Sequence, residues 1–192
     1  MLILASSSPS RARLLTQMGV LFQSIPSSID ETPFPREKPL DYIKRMAQEK
    51  ANFVTSHHPE HFVLAADTIV ALGTRILRKA ESAEEARAQL SLISGKRHKS
   101  CTALTLVFPY KEKTVTRICT THVAFKSLDA QEIDFYIASQ QWRNVAVYQS
   151  EGIAGQFIRF MRGHPSTLMG LPLFDTYQML RPHGLFLPFH RE

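Results

Sequence analysis

Asp67 closes an unbroken apolar run, Phe62-Val63-Leu64-Ala65-Ala66, and Thr68-Ile69-Val70-Ala71-Leu72 comes directly after it. Such a run predicts a strand buried on both faces, as inside an α/β sheet. A carboxylate there needs a purpose, because a buried unpaired charge is costly. In open α/β sheets ligands sit at the carboxyl ends of strands, and Asp67 is predicted to stand at such an end. Lys50 is the second residue out of place. At about 100° per residue it falls between Ile43, Ala47 and Val54, inside a helix's apolar stripe, so it either snorkels to the rim or serves a site.

Other side chains could join them. Ser6-Ser7-Ser8-Pro9 sits where a helix begins, and its N–H groups and macrodipole suit an anion. Arg11 in the first turn opposes that dipole; either it is solvated or an anion occupies the site. Lys79 comes after a strand and turn at Ile76-Leu77-Arg78, as a phosphate cation or half of a surface pair. His98 lies in the basic segment Ser94 to Lys99, expected as a loop, where it either binds phosphate or is solvated. Glu31, in a Pro-rich loop, could share a hard cation such as Mg²⁺ with Asp67, since that ion takes carboxylates and substrate phosphates. No Walker loop, nucleophile elbow or dinucleotide fingerprint is present, and the His and Cys spacings do not suit zinc. Together these residues describe two acids and several cations suited to a metal-bound polyphosphate.

The elements that must position them are legible as mixed α/β. Leu2 to Ala5 reads as a first strand rather than a signal peptide. The next element is a helix with Ser8 as N-cap, Pro9 at N1, Gly19 as its stop, and Leu14, Leu15 and Met18 buried. Pro26 to Pro39 is a loop, and a long helix runs roughly from Pro39 to Ser56 with Leu40, Ile43, Ala47, Ala51 and Val54 on one face. After the Asp67 strand, Gly73-Thr74 predicts a turn, and Ser82 with Glu85 a capping box for a helix ending near Gly95. Cys101 to Phe108 and Thr114 to Phe125 predict an antiparallel pair, Asp129 to Glu132 a second capping box, and Pro172 a last helix.

The 192 residues, 44% hydrophobic and 21% charged, suffice for one substantial core, here a single domain over 1–192. No apolar stretch approaches the ~20 residues of a membrane span. Two cysteines without ligand spacing point to a reducing, cytoplasmic setting. The +6 charge comes from scattered Lys and Arg, which suits an anionic small molecule and makes nucleic acid the weaker reading.

The motifs also resemble the Maf family of nucleoside triphosphate pyrophosphatases. The resemblance runs nearly end to end: Leu4-Ala5-Ser6-Ser7-Ser8-Pro9, Arg11, Asp30-Glu31, Ala47-Gln48-Glu49-Lys50-Ala51, Ala66-Asp67-Thr68, Leu77-Arg78-Lys79, Ser94-Gly95 with His98 and Thr102, and Gly170-Leu171-Pro172-Leu173. It implies an elongated mixed β-sheet with flanking helices and two lobes around a cleft, similar to inosine triphosphatase. It also implies hydrolysis to monophosphate and pyrophosphate with a divalent cation (Mg, Mn or Co), a homodimer as an option, and a link to septum formation. Carried over, Asp67 is the base or only a metal ligand, and Glu31 shares the metal. Lys50 and Lys79 act at the reacting phosphates, and Ser6, Ser8, Arg11 and His98 hold the triphosphate. Ser10, Thr68 and Glu151 are the base-reading positions by analogy. Ser150-Glu151-Gly152 resembles the branch acting on 7-methyl-GTP, whereas Ala66-Asp67-Thr68 resembles the dTTP/UTP branch; the carboxylate of Glu151 leans the reading toward a purine. The competing class is a non-enzymatic nucleotide-binding regulator of cell division.

Overall fold

The computed structural model describes residues 1–186. Among these, seven strands form one mixed sheet, in which β1 (Leu2–Leu4) pairs in parallel with both β2 (Phe22–Ser24) and β3 (Phe62–Leu72). The order runs β2, β1, β3, β5 (Arg97–Val107), β6 (Thr114–Phe125), β7 (Ile158–Arg162), with β4 (Arg75–Leu77) antiparallel to β3 and β7 antiparallel to β6. Helices are α1 (Pro9–Gln17), α2 (Pro39–His57), α3 (Ala83–Ile93), α4 (Ala130–Ala138), α5 (Pro165–Leu168) and α6 (Leu173–Leu180). The mixed α/β class expected from the sequence is the class observed.

The chain separates into two compact units. Among the described residues, the first comprises 1–67, 102–119 and 170–186; the second comprises Thr68–Cys101 and Thr120–Met169. In the first unit, α2 lays Ala51 and Val54 onto Ile3, Val63 and Ala65, with Ala5 and Val107 completing the cluster. Ser8 caps α1 through its Oγ, and Gly19 takes the left-handed φ of +70° that a helix stop requires. In the second unit, α3 contributes Ala86, Leu90 and Ile93, and α4 Ile133, Tyr136 and Ile137, to a core shared with Phe125, Trp142, Tyr148 and Phe157. Burying each large apolar side chain in these cores stabilises the fold by roughly 1.5–3 kcal/mol.

Several expectations need correction. β3 does not end at Asp67 but continues for five residues, because Thr68 to Leu72 keeps the β-branched and apolar character a strand needs. Leu40 is 45% exposed rather than in the α2 stripe, and Met18 is only half-buried. The Ser82 box is half-formed: Ser82 Oγ accepts from the Glu85 N–H, but Glu85 takes the N–H of Glu81. At Asp129 both halves are present. β5 starts at Arg97, so much of the basic segment is strand rather than loop.

Candidate active site

Alternation along β3 puts Val63, Ala65 and Asp67 on one face. The first two lie against Ala51 and Val54 of α2. One step further along the strand and one turn back along the helix, Asp67 therefore meets Lys50. The ammonium does not snorkel. Lys50 is 6% exposed and Asp67 7%, with Nζ 2.5 Å from Asp67 Oδ1 and 2.9 Å from Glu31 Oε1. Glu31, its side chain 42% exposed, forms the open end of this acid–base–acid bridge.

Glu31 is held by groups with no local signature in the sequence. The buried Tyr42 hydroxyl donates to the Glu31 carbonyl at 2.8 Å. Arg45 donates to the Thr32 carbonyl and pairs with both oxygens of Glu37, at 2.7 Å each. Its guanidinium also covers the Phe34 ring at 3.8 Å. The hydrogen bond from Arg45 holds the Glu37 carboxyl below its ordinary range. The Pro-rich loop is thus fastened to two successive turns of α2. Only a chain folding back on itself reveals these contacts; the i,i+4 pairing of Arg45 with Glu49 is the one local hint.

Arg11 is tied down by hydrogen bonds to the chain rather than left to solvent. Its Nη1 donates to Ser6 Oγ at 3.2 Å and its Nε to the Gly170 carbonyl at 2.9 Å. Ser6 Oγ also accepts the Ser8 N–H at 3.1 Å. Burial lowers the Arg11 pKa against the opposing pull of Asp67 and Glu31, whose charges it feels. Ser10, in the first turn of α1, is half-buried. The first unit thereby gathers Ser6, Ser8, Ser10, Arg11, Glu31, Lys50 and Asp67.

Four sequence candidates belong to the second unit. Thr68 is half-buried in β3, and Lys79 and Glu151 are exposed. The Lys79 backbone forms an isolated antiparallel bridge with Ala146, which brings the segment after β4 beside the one leading to Glu151. His98 departs most from expectation. It is 3% exposed, its Nε2 lies 2.9 Å from the Tyr148 hydroxyl, and its ring meets Phe125 edge-on at 5.0 Å. Burial pushes its pKa down to about 4. His98 is thus a buried, hydrogen-bonded residue of β5 rather than the loop residue expected.

Glu31 and Asp67 offer hard carboxylate oxygens converging on one cationic centre. Among the described residues no group of three or more His, Cys, Asp or Glu could enclose a metal. Two carboxylates fit an ion such as Mg²⁺, which keeps waters and substrate phosphates in its shell, and do not fit a closed structural zinc site.

The profile of the Maf-like proteins matches residues 1–183. The chain belongs to the Maf family. Its Maf relatives include the dTTP/UTP pyrophosphatase of Zymomonas mobilis, 46% identical over 185 residues, covering 95% of this chain and 91% of that protein. The Caulobacter vibrioides protein of the same name is 45% identical, covering 95% of each chain. A Wolbachia pipientis dTTP/UTP pyrophosphatase is 46% identical over 93% of this chain and 91% of its own. Among solved structures, the Staphylococcus aureus Ham1 protein matches at a TM-score of 0.47 and 13% identity, over 95% of this chain and 98% of that one. No helix of the described residues is long and apolar enough to cross a membrane.

Proposed function

We propose that this Maf protein hydrolyses a nucleoside triphosphate at the α-phosphorus, giving the monophosphate and pyrophosphate. The observation that carries the reading is the buried Lys50 ammonium joined to Asp67 and Glu31. A binding module has no need of such a centre, whereas water attack on a polyphosphate needs a base, a cation and oxygen ligands in one place. The dTTP/UTP pyrophosphatase names of its relatives support the same reaction.

In this reading Asp67 takes a proton from the attacking water. Lys50 orients that carboxylate and offsets negative charge gathering at the reacting phosphate. Arg11 and the Ser6-to-Ser8 turn hold phosphate oxygens, and Lys79 steadies the leaving pyrophosphate. A divalent cation such as Mg²⁺, held by Glu31 and Asp67, would neutralise phosphate oxygens and acidify water. The cellular role proposed is removal of noncanonical nucleotides in the cytoplasm, with the septum association resting on family kinship.

The base divides on two observations. The names of the relatives favour dTTP and UTP. Glu151 favours a guanine-type base such as 7-methyl-GTP, since a carboxylate accepts from N1–H and N2–H₂ together, whereas uracil and thymine each offer a single ring N–H. A panel of dTTP, UTP, GTP and 7-methyl-GTP with Mg²⁺ or Mn²⁺, read by chromatography, tests both levels. Monophosphate and pyrophosphate should appear first. Early diphosphate and orthophosphate would refute the pyrophosphatase reading, and the ranking of substrates decides the base.

A further inference from the structure

Glu151 projects from irregular chain, yet that chain is fastened on both sides of it. Upstream, the Gln149 N–H donates to the Tyr136 hydroxyl at 3.0 Å, and Tyr136 is fully buried in α4. Downstream, the Ile153 N–H donates to Gln141 Oε1 at 2.8 Å. Tyr136 and Gln141 both belong to the end of α4 and the turn after it. The Gln141 amide lies so close over Gly152 that a Cβ there would stand 2.1 Å from Oε1. Glycine at 152 therefore makes room for the downstream fastening. Gly152 in turn donates its N–H to the Gln149 carbonyl at 3.3 Å, closing the turn that carries Glu151.

We infer that Tyr136 and Gln141 are positioning residues for base selection: they fix the backbone on either side of Glu151, so the preference among nucleobases depends on them although neither meets the base. This rests on the reading of Glu151 as the base-reading residue. The physical ground is that hydrogen bonds weaken steeply once distance and angle leave a narrow range. A carboxylate on a drifting turn contacts any base partner but discriminates poorly between them. The reading gives neither residue a part in the chemical step, so base preference should change without loss of the reaction itself.

The test measures the ratio of kcat/KM for a guanine-type triphosphate to that for UTP in Gln141→Ala, Gly152→Ala, their double variant and Tyr136→Phe, with Glu151→Gln as reference. A merely structural role lowers active enzyme equally for all substrates and leaves that ratio unmoved. The inference expects each single variant to move it toward unity by roughly three- to tenfold, mainly through KM. Adding Gly152→Ala to Gln141→Ala should change it little further, since the alanine at 152 acts by displacing the Gln141 amide. If Glu151→Gln moves the ratio while the Tyr136 and Gln141 variants do not, the positioning inference is overturned and the base-reading role stands. If none moves it, the Glu151 reading falls and this inference with it. Full additivity of the two alanine substitutions would also overturn it, because they would then act through separate contacts.

Discussion

Lys50 and His98 are both basic side chains on the floor of a core, 6% and 3% exposed, but their surroundings give them opposite uses. Lys50 is met by two carboxylates, so a charge is kept where water is scarce. His98 is met by a hydroxyl and aromatic edges, and burial suppresses its charge. In the proposed reaction, the first arrangement serves the chemistry at the phosphate. The second supplies a shape and a hydrogen bond, and it anchors Tyr148 three residues before Glu151. Burial alone therefore does not decide whether a basic side chain keeps its charge; the partner does.

The contrast predicts different costs of removal. Lys50→Met leaves Asp67 buried without its ammonium, and the loss of stability in urea titration should be about 3–5 kcal/mol, the range for breaking a buried pair from one side. Neutralising the other side as well, in Lys50→Met with Asp67→Asn, should recover much of that loss. A double variant as unstable as the single one would mean that lost packing, not stranded charge, is the cost.

His98 should show itself through pH instead. Its ordinary pKa is 6.5 and its folded value about 4. Between these values the unfolded chain binds a proton that the folded chain refuses, so stability falls as pH drops through that window and levels off below it. The full effect is on the order of 3 kcal/mol. Thermal melts should show His98→Gln losing less stability than the parent from pH 6.5 to 4; parallel curves would contradict a neutral, desolvated His98.

The sequence exposes Lys50 because periodicity puts a cation inside an apolar stripe, and it exposes the helices through their caps and glycine stops. Asp67 is visible as a buried acid, but its place in mid-strand is obscured because a charge after an apolar run reads as a strand end, although Thr68 to Leu72 has the character to continue it. β2, β7 and α5 escape because they are short and partly exposed, and β2 and β7 are held by pairing with β1 and β6 rather than by their own pattern. Tyr42, Arg45 and Glu37 escape because their work is to fasten a Pro-rich loop. Gln141 escapes because its partner lies twelve residues ahead across a turn. His98 misleads for a physical reason: a basic neighbourhood in sequence alternates along a strand, and its own side of β5 faces the core.

The most direct measurement is turnover of a nucleoside triphosphate by Asp67→Asn, with folding checked by circular dichroism. The asparagine oxygen can still accept from Lys50, so the fold should persist. Monophosphate and pyrophosphate production should fall by at least ~10², the low end for a positioned acid–base group. A folded Asp67→Asn protein that turns over at near the parental rate would contradict the assignment of the Lys50–Asp67 pair to catalysis.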